Sequence, residues 1–184
     1  TAIDRSGNGN PVTLTSMSQS TSPAPGQIGQ GLLFDGVNDL TSCTDAACGG
    51  TSAGKYDMGT SDWTIALWLK TSSTTGPAVA TKMWYFGGTN DDGWGMALSS
   101  GGNLLGMMRK NGTGEVTSTA DGATVNDNVW HYAVVTFDRD GNMVRYVDGA
   151  QTGTQNSIAS LNGLSIDNVK QFRIGAREVS GDEM

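Results

Sequence analysis

The sequence predicts an all-β chain, with antiparallel strands packed as a sandwich. Three observations carry this. Short apolar runs alternate with stretches crowded by Gly, Asn, Asp, Ser and Thr, the pattern of strands joined by turns. The 184 residues include 27 Gly, with 36% hydrophobic and only 16% charged residues, so apolar surface is plentiful and turn formers abound. No segment holds a sustained helical period, and no repeat recurs at a fixed spacing. A chain of this length buries a full core as one domain, so residues 1–184 read as a single unit.

The elements follow in order. Asp4 to Asn10 is a loop, since four of its seven residues are Gly or Asn. Val12 to Leu14 begins a strand. The polar stretch 16–30 carries Pro23 and Pro25 and reads as a surface connection. Gly31 to Asp35 is a short strand ending at an Asp-Gly turn, and 40–62 reads as irregular. Trp63 to Lys70 is the clearest strand. Trp63, Ile65, Leu67 and Leu69 fall on one face, and Thr64, Ala66, Trp68 and Lys70 on the other. Its apolar residues on both faces suit a central or doubly covered strand, and Trp63, Trp68 and Trp130 are assigned to packing. Further strands are expected over 78–86, 93–98 and 104–109, with a hairpin turn at Asn111-Gly112. Trp130 to Asp138 runs through Arg139-Asp140-Gly141 into Met143 to Asp148, a second hairpin. Val169 to Gly175 supplies one more strand.

The formal net charge is −7. An acidic surface repels phosphate backbones, which argues against nucleic-acid partners. No basic amphipathic helix or long apolar run points to insertion in a membrane. The two cysteines, Cys43 and Cys48, lie in a polar, Gly-rich loop. They read as a small disulfide formed in an oxidising compartment, the alternative being two free or weakly metal-binding thiols. A zinc site is not expected, because His131 is the only histidine.

Several segments, in this order, resemble a known family. They are Asp4-Arg-Ser-Gly-Asn-Gly-Asn10, Gly29-Gln-Gly-Leu-Leu-Phe-Asp-Gly36, Trp63-Thr-Ile-Ala-Leu-Trp-Leu-Lys70, and Trp130-His-Tyr-Ala-Val-Val-Thr-Phe-Asp138 followed by Tyr146-Val-Asp-Gly149. Together they resemble a laminin-G-like jelly roll of the concanavalin A-like lectin/glucanase superfamily. The resemblance implies a two-sheet antiparallel jelly-roll sandwich, often with calcium, and roles in carbohydrate binding, cell adhesion or accessory attachment. That family usually has one strand before the Asp4 loop and closes on a further strand, so the chain is expected to lack its first and last strands. Completion by another chain is a second way to close the sheet edge.

The candidate sites follow from chemistry. Glycosidases need two carboxylates flanking one bond. The only Glu residues are Glu115, Glu178 and Glu183, and none forms a paired strand pattern. Asp138 and Asp140 occupy a hairpin turn, where Asp has a structural use. His131 lacks a neighbouring nucleophile motif, so no catalytic residue is assigned, although a lyase using Tyr and His stays open. Calcium is expected at Asp4, Ser6, Asn8 and Asn10, whose alternating oxygens and glycines can wrap a hard cation. Thr15 stands where a closing Glu would be needed, so other residues must complete the shell; the alternative is a plain Asx-turn loop. Ligand contact is expected at Trp84, Tyr85, Asn90, Asp91 and Asp92, where exposed aromatics meet planar polar groups. Against this stands the alternative of packed aromatics beside a turn. Asn111-Gly-Thr113 matches a glycosylation sequon, relevant only in a eukaryotic secretory route.

The sequence therefore points to a secreted, non-catalytic module at the cell surface, binding a glycan or a surface protein and working beside neighbouring domains or subunits. The alternatives are a structural domain of a surface filament, pilus-like fibre or phage particle, and, behind it, a polysaccharide-degrading enzyme.

Overall fold

The structure, a computed structural model, describes residues 2, 5–48, 55–83 and 92–176. Among these residues it has thirteen β-strands and one turn of 3-10 helix, Ala159–Leu161. The strands are β1 Thr13–Thr15, β2 Pro23–Pro25, β3 Gln30–Leu32, β4 Leu40–Cys43, β5 Trp63–Leu69, β6 Ala78–Lys82 and β7 Gly93–Leu98. After these come β8 Leu104–Lys110, β9 Gly114–Thr117, β10 His131–Phe137, β11 Asn142–Val147, β12 Ala150–Ser157 and β13 Phe172–Ile174. One sheet runs β1-β4-β13-β6-β7-β8-β9, the other β12-β11-β10-β5, and β2 pairs with β3 as a separate hairpin. Every pairing is antiparallel.

The alternation in β5 and β10 explains why the sheets stack. Trp63 of β5 and Phe137 of β10 are cross-strand partners, and their rings stack with centroids 4.3 Å apart. From β10 and β11, Ala133, Val135, Met143 and Val147 join them inside, facing Trp94, Met96, Leu104 and Met108 of the larger sheet. Gly106 of β8 marks a close approach of the two layers. A Cβ there would lie 2.6 Å from both the Val135 Cγ1 and the Met143 Sδ, so any larger residue would wedge the sandwich open.

Two arginines cross into this interior. Arg145 of β11 lies in inward register and is buried. Its guanidinium donates to the carbonyls of Leu104, Thr119, Asp121 and Thr154 and to the Asp121 carboxylate. Arg139, in the β10–β11 turn, donates to the carbonyls of Gly59, Leu161 and Leu164 and lies over the Trp63 ring. Each arginine satisfies strand or loop carbonyls that would otherwise lose a buried donor.

Cys43 and Cys48 form a disulfide with Cα atoms 5.9 Å apart. The bridge closes a short loop, and in the chain-entropy account it adds only about 2 kcal/mol of stability. Asp45 inside that loop reaches the buried Lys82 of β6, which also pairs with Asp57 and donates to the Asn168 carbonyl.

Several elements differ from the sequence reading. The stretch 16–30 contains a paired strand, because Pro23 and Pro25 alternate at a hairpin, where a missing N–H is tolerated. Residues 40–43 form an inner strand of the large sheet. Strand β12, polar throughout, was not anticipated.

Candidate functional site

The outward face of the four-stranded sheet presents its side chains in rows set by register. The first row holds Trp68 opposite Tyr132, the second Ala66, Val134, Tyr146 and Gln151, and the third Thr64, Thr136 and Val144. Adjacent strands lie about 4.8 Å apart, and side chains on one face recur about every 6.8 Å along a strand. Small side chains at Ala66 and Val134 thus leave a step beside the Trp68–Tyr132 ridge. Those two rings are 38% and 37% exposed, with centroids 5.3 Å apart and planes tilted by 43°. Trp68 is therefore a surface aromatic, and its assignment to packing is corrected. Alternation along β5 had already placed Trp68 opposite to Trp63, but sequence alone did not say which face was covered. At the far end of the face, Asp62, Thr64, Thr136 and Asp138 line a shallow open depression. Asp138 is held above the usual carboxylate range by its hydrogen bond with Asp140, by burial, and by the charges of Asp140 and Asp62.

The near end is organised by His131. It sits at the rim. Its Nδ1 lies 2.7 Å from Asp148 Oδ2 and its Nε2 lies 3.0 Å from Asp127 Oδ1. Asp148 and Gly149 both take left-handed backbone conformations, φ 53° and 84°, which fits the tight turn joining β11 to β12 and suits an Asp-Gly pair. That turn aims the Asp148 carboxylate back at β10, where its Oδ1 accepts the Tyr132 N–H at 2.8 Å.

Of the ligand residues expected from sequence, Trp84, Tyr85, Asn90 and Asp91 lie outside the described residues. Asp92 is described and is engaged in structure. Its carboxylate pairs with Lys110 at 2.7 Å and accepts the Asn111 N–H at 2.6 Å, pinning the β8–β9 turn.

Asp4, the charged member of the expected calcium set, also lies outside the described residues. Ser6 and Asn8 are exposed, and the Asn8 amide nitrogen donates to the Ser6 hydroxyl at 3.0 Å. The Lys55 ammonium donates to the Asn8 carbonyl. Ser6, Asn8 and Asn10 offer neutral oxygens only, so they fit a calcium shell incompletely without Asp4. Among the described residues no group of three or more His, Cys, Asp or Glu could hold a metal ion.

Two stacked antiparallel sheets with these connections define a jelly-roll β-sandwich. The family profile described as the concanavalin A-like lectin/glucanases superfamily, a laminin G type, matches residues 46–184, and the chain belongs to that superfamily. No curated protein sequence matches it. Among solved structures, it is similar to the binding domain of paraclostridial mosquitocidal protein 1, with TM-score 0.61 and 15% identity, covering 95% of this chain and 42% of that one. The receptor binding domain of botulinum neurotoxin D gives TM-score 0.57 and 14% identity, over 95% of this chain and 42% of that one. The binding domain of botulinum neurotoxin DC in complex with rat synaptotagmin II gives 0.51 and 14%, over 96% and 41%. The chain spans about two fifths of the length of these structures, and the likeness is one of fold.

Proposed function

We propose that the chain is a non-catalytic extracellular recognition or adhesion module and that the outward face of its four-stranded sheet binds carbohydrate. The observation that carries this is the exposed Trp68–Tyr132 pair standing beside a step of small side chains. A sugar ring presents an apolar face that stacks on such rings, while its hydroxyls need donors and acceptors nearby. Thr64, Thr136, Tyr146 and Gln151 supply these within one or two rows. Membership of a lectin-containing superfamily supports the reading, as does the binding-domain character of the structures that share the fold. The extracellular setting is supported by the Cys43–Cys48 disulfide. The non-catalytic reading is supported by how the titratable groups are used: Glu115 pairs with Arg109, and both ring nitrogens of His131 face carboxylates.

A glycan array tests the proposal. A specific subset of glycans should bind, and Trp68→Ala or Tyr132→Ala should weaken that binding by about 5–10-fold, matching roughly 1 kcal/mol per lost stacking contact. Because both rings are on the surface, the melting temperature should hardly move. An array without signal, or binding indifferent to both substitutions, would overturn this reading.

A protein receptor is the second reading. It is favoured by the exposed apolar side chains Ile28, Leu33, Val37, Val129 and Val169 and by the synaptotagmin complex of one structure that shares the fold.

Structural calcium at Asp4, Ser6, Asn8 and Asn10 belongs to the same proposal. With one carboxylate and neutral oxygens the affinity is weak, about 10⁻⁴ to 10⁻³ M as in extracellular modules. At about 100 times the dissociation constant, calcium would stabilise the fold by about 2.7 kcal/mol. Thermal melts in chelator and in excess calcium are expected to show that gain in the wild type and to lose most of it in Asp4→Asn. A wild-type melt that ignores calcium removes the ion from the proposal.

A further inference from the structure

We propose that His131 is a proton-operated latch: as an imidazolium it ties the Asp127 loop to the β11–β12 turn, and as a neutral ring it lets go of Asp127. The latch closes the end of the sheet that carries Trp68 and Tyr132. Its consequence for ligand binding rests on the carbohydrate reading above, but the latch itself rests on geometry.

His131 pairs with Leu69 at the last rung of the β5–β10 ladder, one residue from the Tyr132–Trp68 pair. Both ring nitrogens face carboxylate oxygens, at 2.7 Å and 3.0 Å. An ionised carboxylate only accepts hydrogen bonds, and a neutral imidazole carries one N–H. Both contacts are hydrogen bonds only when both nitrogens are protonated. In the neutral ring one lone pair must face a carboxylate, and that contact opens.

The surroundings decide which contact opens. Asp148 is anchored apart from the ring. Its Oδ1 accepts the Tyr132 N–H at 2.8 Å, and its own N–H donates to the Tyr132 carbonyl at 3.0 Å. The Asp127 carboxylate is otherwise held by the Val129 N–H, within its own loop and on the same Oδ1. The neutral ring therefore keeps its proton on Nδ1 for Asp148 and releases Asp127. The loop behind Asp127 is fastened to the end of β5 through the Asn128 N–H, which donates to the Thr71 carbonyl at 2.9 Å. Its release thus loosens the end of the strand pair bearing both exposed rings.

The charged groups facing the ring are Asp148, from the β11–β12 turn, and Asp127, from the loop before β10. On β5 the partner is the apolar Leu69, and Lys70 falls in outward register with Trp68. Partial burial pulls the His131 pKa down, but hydrogen bonds to Asp148 and Asp127 and their charges outweigh it, so the ring is held above the ordinary histidine value. Asp148 is lowered by its bond from His131 and then by the Tyr132 amide; Asp127 is lowered by the Val129 amide and then by His131. A raised histidine contributes its full stability below the unfolded pKa and loses it as pH rises through the folded one. The latch is therefore closed at mildly acid pH and opens as pH rises past the raised value.

Because His131 is the only histidine, its ring resonances in an NMR titration from about pH 5 to 9 need no assignment against other histidines. The expected midpoint lies above about 6.5, the ordinary histidine value. The Val129 amide should shift with the same midpoint, and the Tyr132 amide should shift less. Asp127→Asn should lower the ring midpoint. A midpoint at or below the ordinary value, or a Val129 amide that does not follow the ring, overturns the latch. Affinity electrophoresis of the wild type and His131→Gln through gels holding dextran, xyloglucan or hyaluronan, at about pH 6 and 8.5, reads the consequence. Retardation of the wild type should be stronger at the lower pH by about fivefold in affinity, the low end for coupled sites, and His131→Gln should lose that dependence. A retarded wild type that shows no pH dependence overturns the coupling. Retardation by none of the three counts against the carbohydrate reading, and the titration still decides the latch.

Discussion

Replacing Arg145 with alanine is expected to cost about 3–5 kcal/mol, because it takes the donor from several buried carbonyls at once. That is a large share of the total stability of an ordinary domain. The reason lies in what the guanidinium holds. Its Nη1 donates to the Leu104 carbonyl at 2.8 Å, to Thr119 at 2.8 Å and to Asp121 at 3.2 Å. Its Nη2 donates to the Asp121 carboxylate at 2.6 Å and to the Thr154 carbonyl at 3.1 Å. One side chain thus joins β8, the 119–121 loop and β12 to β11. Alanine would leave these carbonyls facing a cavity, and water can replace only part of the bonding. Chemical denaturation by urea measures the loss, and a change below about 1 kcal/mol would contradict this account. Asp121→Asn is the milder companion, because Asp121 is solvated and its amide form can still accept. The Thr154 side chain and then Arg145 hold the Asp121 carboxyl down to about 2. Its contribution is therefore present above its ordinary pKa and fades as pH falls from about 4 towards 2. The Asp121→Asn variant should lose that part of the acid response.

The strands that meet the core on one face were legible in the sequence, and those that do not were harder to see. Period-two alternation revealed β5, and the Asp140-Gly141 turn revealed the β10–β11 hairpin, because burial on one face leaves a hydrophobic imprint at every second residue. Strand β12 left no such imprint. It is the edge strand beside β11, rich in Thr, Gln and Asn, and its place is fixed by backbone pairing and by Asp121 bonds to Thr154. The burial of the arginines leaves no sequence signal for a related reason. Arg145 stands at an inward position, but a single charge in a strand reads as a solvated edge unless the loop carbonyls around it are known. The site was legible only in part. Alternation set Trp68 on the face opposite Trp63, yet it reads as packing from sequence, because two apolar faces on one strand do not say which is covered. The His131 bracket was not visible, because Asp127 and Asp148 meet the ring from two different connections. The Asp148-Gly149 turn was a signal that could have placed one of them.

Lys82→Met is expected to destabilise the fold by about 3–5 kcal/mol, because removing the cation of a buried ion pair strands its carboxylate. Lys82 and Asp57 are both almost fully buried, with the ammonium 2.8 Å from Asp57 Oδ1 and 3.1 Å from Asp45 Oδ1. The ammonium also donates to the Asn168 carbonyl at 2.5 Å. Methionine matches the stem of lysine but removes the charge, and the buried Asp57 carboxylate, which also accepts the Asn168 N–H, would lose the Lys82 ammonium. The penalty therefore belongs to the stranded acid more than to the lost attraction. Lys82→Met combined with Asp57→Asn should recover a large part of the loss, since the remaining groups are neutral or, at Asp45, nearer to solvent. A double variant no better than Lys82→Met alone would show that packing, and not the loss of the Lys82–Asp57 pair, sets the cost. The same cycle reports on the disulfide loop. Asp45 lies between Cys43 and Cys48, so Lys82 fastens that loop to β6 by charge while the bridge closes it covalently. Reduction should therefore cost Lys82→Met and the wild type unequally, and urea denaturation of both proteins with and without reductant measures that coupling directly.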